Sequence, residues 1–267
     1  MIMGRHIIHT VAIAHLVIAG CRITFFESDG TPIGYIKGYG GTYDPALREA
    51  QKSASHHSYA VEIAKSSLKS RIRAVQEANK ILRVESLYEG ELEVLHSALE
   101  EMEYLIKLEE IRRLHRLTSY MYYEIMARLL PPSTGFRRRT TRPHQDPINA
   151  ILSFGYSMLY GNCCVSTLGA DLDPDTGMLY EGKGGLLYDL IEPLKATLID
   201  PVVFYDIGRS LQESDVEYSD SRCILSDALM QMLSNRFRVS INQKRVDEQV
   251  MLLRGALLNQ NPITIIY

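Results

Sequence analysis

An apolar stripe does most to limit what this chain can fold into. Val61, Ala64, Leu68, Ile72 and Val75 recur at spacings of three and four, the period of one buried helix face. Lys65, Lys69 and Arg73 form a second stripe at i, i+4, i+8 on another part of the same surface. A solvated face is the ordinary reading of such a stripe, and contact with the phosphates of DNA is the other. Helical character then persists. A pattern over about Glu91 to Leu108 places Leu95, Leu99, Met102 and Ile106 inward and Glu100, Glu101, Glu103, Glu109 and Glu110 outward. Another runs from about Ile111 to Leu130, where Pro131-Pro132 must end it. Pro147 opens a further helix to about Leu168, with Asp146 placed to cap its free amides. Others are predicted from near Asp189, over Ser226 to Asn235, and over Asp247 to Leu258, while Asp171 to Gly185 reads as loop.

Only the N-terminal segment has a different period. Arg22 to Phe26 and Pro32 to Ile36 alternate on either side of Glu27-Ser28-Asp29-Gly30, which is a hairpin pattern. The fold class expected is mainly α: a reduced β domain over 1–44, then an α-helical domain over 45–267. Arg5, the apolar run to Ala19 and Ile18-Ala19-Gly20-Cys21 imitate a lipoprotein leader, but His6, His9 and His15 interrupt the run. With no stretch approaching the ~20 apolar residues of a membrane span, no membrane association is expected. Cys21, Cys163, Cys164 and Cys223 lack zinc-site spacing, so a reduced, cytoplasmic protein is the simplest reading. A net charge of -3 means that any polyanion contact must rest on local patches.

The densest such patch is Arg137, Arg138, Arg139 and Arg142, set directly against the Pro147 helix. Asp189 and Glu192 stand three apart near a helix start, which brings two carboxylates onto one face. Paired carboxylates suit a hard cation such as Mg2+ or Mn2+, although acids in a first turn also serve the helix dipole. Gly182-Lys183-Gly184-Gly185 lacks the spacing of a phosphate loop, and the eight histidines show no HExxH pair.

Taken together, Arg142-Pro143, Asp146-Pro147, Asn149, Leu152 to Tyr156 and Leu159-Tyr160 resemble the central block of the CRISPR-associated spacer-acquisition endonuclease and integrase family. The resemblance continues through Gly177-Met178-Leu179-Tyr180, Tyr188 to Glu192 and Asp200 to Phe204, and covers nearly the whole chain. It implies a homodimer that binds double-stranded or branched DNA, a small ferredoxin-like adaptation subunit as partner, and Mg2+ or Mn2+ as cofactor. DNA contacts would come from Arg137, Arg138, Arg139, Arg142 and Asn149, with Lys65, Lys69 and Arg73 as a further strip.

Members of that family hold their metal with a Glu, a His and an acidic residue. Here His115 stands where the Glu is expected and Tyr180 where the His is expected, leaving only Asp189 and Glu192. Neither replacement suits Mg2+, because a neutral imidazole brings no charge and a phenol with pKa near 10 stays protonated. A register shift would let Glu109 or Glu110 supply the missing carboxylate. The β region also departs from the family, which dimerises through a full β domain: either the start is misplaced or the β domain is reduced. Two readings follow: a metal-dependent enzyme centred on Asp189 and Glu192, or a degenerate relative that keeps the DNA surface without the chemistry.

Overall fold

A computed structural model describes residues 2–3, 6–27, 32–38, 44–140, 142–219 and 222–267. Its N-terminal sheet joins β1 (Ile2–Met3), β2 (Ile23–Phe26) and β3 (Pro32–Ile36), with α1 (Thr10–Ile18) between the first two strands. Strand β2 runs parallel to β1 and antiparallel to β3, pairing Ile23 with Ile36 and Thr24 with Tyr35. The strands of the expected hairpin are therefore paired, whereas its Ser28-Asp29-Gly30 turn lies outside the described residues. Asp171 ties this sheet to the helical body by accepting from Arg22 and, at 3.3 Å, from Lys37.

Among the described residues after 44 the regular elements are helices apart from one hairpin. The elements are α2 (Pro45–Ser53), α3 (His56–Leu82), α4 (Glu91–Glu101), α5 (Leu108–Ala127), α6 (Pro147–Gly169) and α7 (Gly185–Leu194). The apolar stripe that predicts α3 is buried at Ala64, Leu68, Ile72 and Val75, and it is the face that packs against α5 and α7. Helix α6 begins as its residues dictate: Pro147 occupies the first turn and Asp146 accepts the Asn149 amide at 2.8 Å.

Three departures from the sequence reading matter here. Helix α4 stops at Glu101 rather than continuing to Leu108, so Ile106, expected inside, is 85% exposed. No glycine or proline marks that break, and α5 starts its own first turn with Glu110 accepting the Lys107 amide. Helix α7 begins at Gly185, ahead of Asp189, behind the left-handed Gly184 at φ 72°. It carries Pro193 inside and continues through widened π turns at Lys195–Ile199 and Val202–Ile207 into α8 (Gly208–Ser210). The hairpin β4 (Val216–Ser219) and β5 (Arg222–Leu225), whose second strand packs on α6, was not anticipated by residue patterning. Helices α9 (Asp227–Ser240) and α10 (Gln243–Asn259) complete the chain. Among the described residues no helix is long and apolar enough to cross a membrane.

Candidate functional site: a cationic centre between α3, α5 and α7

Helices α3, α5 and α7 converge on the Glu192 carboxylate, which is buried. Arg71, on the buried face of α3, donates to its Oε2 at 2.7 Å, and Lys195, one turn along from Glu192, donates to its Oε1. The Tyr180 hydroxyl reaches Oε1 at 3.1 Å from the loop before α7. From α5, His115 places Nε2 3.7 Å from Oε2 while accepting from Arg71 Nη1 at 3.2 Å. Three of the residues aligned with the family's ligand positions, His115, Tyr180 and Glu192, therefore do meet in space. Glu109 and Glu110 occupy the first turn of α5 instead, so the shifted register is not adopted.

Charge states follow from the packing. Burial pushes the Glu192 carboxyl up, but Lys195 and Arg71 outweigh it and hold the group well below the usual carboxylate range, so it is ionised. Burial, reinforced by Arg71, lowers the His115 imidazole to about 3, and the ring is neutral. Since a guanidinium can only donate, His115 Nε2 is an acceptor and the ring proton sits on Nδ1. Burial and Glu192 raise the Tyr180 phenol, which stays a donor.

Asp189 does something other than pair with Glu192 on a cation. Its Oδ2 accepts the Met178 and Leu179 amides at 2.5 and 3.3 Å, and its Oδ1 the Tyr180 amide at 2.9 Å. The side chain thus clamps the 178–180 loop that delivers the Tyr180 ring. Tight backbone packing supports the clamp, since a Cβ on Gly177 would fall 2.3 Å from the Tyr180 carbonyl oxygen. Burial raises the Asp189 carboxyl to about 7 despite these three donors.

A third buried carboxylate, Asp200, accepts from Tyr156 at 2.5 Å and Tyr122 at 2.7 Å, with Tyr123 bonded to Tyr156 at 2.6 Å. It fixes the Tyr156 ring, over which Arg139 and Lys195 lie at 5.3 and 5.1 Å from the centroid. That ring forms part of the wall between two adjoining cavities. One, of about 360 Å³, is lined by Arg71, Arg112, Arg116, Arg139, Lys195 and Glu192 among others. Its neighbour, of about 530 Å³, shares Arg139, Tyr156 and Lys195 and adds Arg142 and Lys183. Together they form a trough with seven cationic side chains and one carboxylate, itself already paired.

The predicted arginine cluster divides. Arg139 is half-buried and bonds the Asn149 carbonyl and side chain at 3.1 and 2.6 Å and Ser153 at 3.0 Å; Arg142 lines the trough; Arg137 and Arg138 are exposed. Asn149, expected at the DNA, is fully buried, with Oδ1 accepting from Arg139 and Thr140 and Nδ2 donating to Arg138 and Asp146. Its hydrogen-bonding capacity is spent on holding the 138–140 loop to α6, which corrects that expectation. In the other predicted strip, Lys65 pairs with Glu103 and Arg73 with Glu77 at 2.7 Å, while Lys69 lies half-buried beside them on α3.

A sequence profile described as "CRISPR associated protein Cas1" matches residues 1–238. The chain belongs to the Cas1 family. A putative CRISPR-associated endonuclease Cas1 from Methanospirillum hungatei is 38% identical, covering 100% of this chain and 88% of that relative. Among solved structures, a casposase bound to its integration product has a TM-score of 0.80 at 18% identity, covering 95% of this chain and 76% of that one. A Cas6-RT-Cas1–Cas2 complex has a TM-score of 0.79 at 17% identity, covering 98% of this chain and 31% of the other. Membership of the Cas1 family places the chain in CRISPR spacer acquisition, among DNA endonucleases and integrases.

The donor set here does not fit the Mg2+ or Mn2+ that the family resemblance implies. Such cations need several oxygen ligands free to face them. Both Glu192 oxygens are taken by Arg71, Lys195 and Tyr180, and both Asp189 oxygens by backbone amides. Among the described residues no three His, Cys, Asp or Glu side chains form a metal-holding group. Arg71 and Lys195 are the site residues that no motif named, whereas Tyr156 and Asp200 stand in the matched blocks without an assigned role. Both cations left a trace: Lys195 follows Glu192 by three, and Arg71 sits seven residues beyond Ala64 within the apolar stripe.

Proposed function

We propose that this chain serves spacer acquisition in the cytoplasm chiefly by holding DNA, double-stranded or branched, along the trough between α5, α6 and α7. The observation that carries this reading is the charge of that surface. On a chain of net charge -3, the trough is lined by Arg71, Arg112, Arg116, Arg139, Arg142, Lys183 and Lys195 against the single carboxylate of Glu192. Cations fixed at this density attract phosphates and position a strand without reading its sequence. The metal-dependent chemistry implied by the resemblance is not assigned to Asp189 and Glu192, because one clamps a loop and the other neutralises Arg71 and Lys195. Arg137 and Arg138 extend the phosphate-binding surface, and the Lys65, Lys69 and Arg73 face is a secondary strip.

The working unit we propose is a homodimer with a small ferredoxin-like adaptation subunit; similarity to a chain solved in a Cas1–Cas2 complex supports the second partner. The division into a small N-terminal β domain over 1–44 and a helical domain over 45–267 belongs to the same proposal. Salt-dependent DNA binding tests the reading. Arg142→Ala/Lys183→Ala should weaken binding to all sequences and flatten the slope of log affinity against log salt by roughly 0.9 for each phosphate that is no longer neutralised. An unchanged slope removes the trough from the DNA surface.

A further inference from the structure

Resting on the reading of the trough as a DNA surface, we infer that Arg71 and Lys195 supply the positive charge that a divalent cation supplies elsewhere in the family, and that the 360 Å³ pocket binds a phosphate oxyanion directly. Location is the first argument. Arg71 and Lys195 contact the Glu192 carboxylate, and His115 and Tyr180, which stand at the other aligned ligand positions, contact Arg71 and Glu192 respectively. A guanidinium and an ammonium thus already fill the carboxylate's coordination. A cation arriving there would meet two fixed positive charges before it met a free oxygen.

The charge balance of the pocket argues the same way. Five cations line it, Arg71, Arg112, Arg116, Arg139 and Lys195, and one carboxylate; five minus one leaves an excess of four. Arg112 spends part of its charge on Glu181 at 2.7 Å, but Glu181 is largely solvent-exposed and that pair is weak. Arg71 is 2% exposed, and its Nε–H, closed off from solvent, has no acceptor among the described residues. An excess of fixed cations around a partly enclosed pocket is what an oxyanion balances. Glu192 is then a positioning residue: it holds Arg71 and Lys195 in place and leaves Arg116, with the remaining donors of Arg112 and Arg139, to make up the anion's shell.

The test uses the full chain with two probes, Mn2+ and inorganic phosphate, and an oligonucleotide duplex as a third arm. Mn2+ titration followed by electron paramagnetic resonance should show no stoichiometric site. In EDTA, inorganic phosphate should raise the melting temperature and compete with the duplex. Arg116→Gln, on an exposed side chain, and Lys195→Gln should each weaken phosphate binding at least tenfold. One equivalent of Mn2+ bound per chain and released by Glu192→Gln would overturn the inference, as would phosphate binding indifferent to Arg116→Gln and Lys195→Gln. Phosphate that binds without competing with the duplex would leave the anion pocket standing and refute its place on the DNA path. An unaltered salt slope in Arg142→Ala/Lys183→Ala would count against the trough alone.

Discussion

Replacing Glu192 with Gln separates a metal centre from an ion-paired one by the sign of its effect. In a centre built for a cation, carboxylates without their metal repel one another. An amide there would leave the metal-free protein as stable as before or more so. In this chain Glu192 is 4% exposed and Arg71 2%, with 2.7 Å between Oε2 and Nη2, and Lys195 holds the other oxygen. Removing the anion leaves two buried cations without a counter-charge, and breaking a buried pair from one side costs about 3–5 kcal/mol. Gln keeps one acceptor oxygen, and the Lys195 side chain is 14% exposed and reaches water, so the lower end, about 3 kcal/mol, applies. An unfolding entropy of about 2.1 cal/mol/K per residue gives roughly 0.56 kcal/mol/K for 267 residues, hence a drop in Tm of about 5 °C. Thermal and urea denaturation in EDTA at pH 7 measure it. Arg71→Gln/Glu192→Gln should lose less than the two single changes summed, because the pair is coupled. Equal or greater stability of Glu192→Gln in EDTA would refute the ion-pair account of the centre.

Three further outcomes are expected. Asp189→Asn puts an amide group against backbone donors that the carboxylate accepts, so it should cost about 1–3 kcal/mol and speed hydrogen exchange at Met178 to Tyr180; unchanged exchange there would deny the clamp. Burial raises the Asp200 carboxyl to about 6, so the folded state holds its proton more tightly than the unfolded chain. Its contribution is fully present below about pH 4 and declines by about 3 kcal/mol as pH rises through 6, a slope that Asp200→Asn should remove from the pH–stability curve. Gly155→Ala would place a Cβ 2.6 Å from Ile199 Cγ2 and 2.8 Å from Phe237 Cζ, so it should destabilise by about 1–3 kcal/mol, whereas Gly169→Ala, with nothing within 4 Å, should stay within about 0.5 kcal/mol of the parent protein.

Local rules written in short stretches of sequence account for most of the architecture. The spacing of Ala64, Leu68, Ile72 and Val75 gives α3 and its buried face; Asp146 and Pro147 give the start of α6; Pro131-Pro132 end what precedes them. These depend on periodicity, capping and missing amides, all of which act within a few residues. Patterning failed where neighbours in space overrule neighbours in sequence. The break between α4 and α5 carries no glycine or proline, and α7 carries Pro193 inside and runs on into π turns.

For the site, motif alignment set His115 and Tyr180 at ligand positions beside Asp189 and Glu192, left Glu109 or Glu110 open as a replacement carboxylate, and marked the first two as poor ligands for a hard cation, because residue chemistry is legible wherever a motif can be aligned. Only the tertiary structure decided which groups meet the Glu192 carboxylate. Arg71 lies 121 residues before Glu192 and reaches it because α3 packs on α7, and Asp189 turns to the 178–180 amides, as no spacing in the sequence foretells. Whether a carboxylate binds a metal or an arginine depends on which charge lies within about 4 Å of it, and the folded core sets that distance.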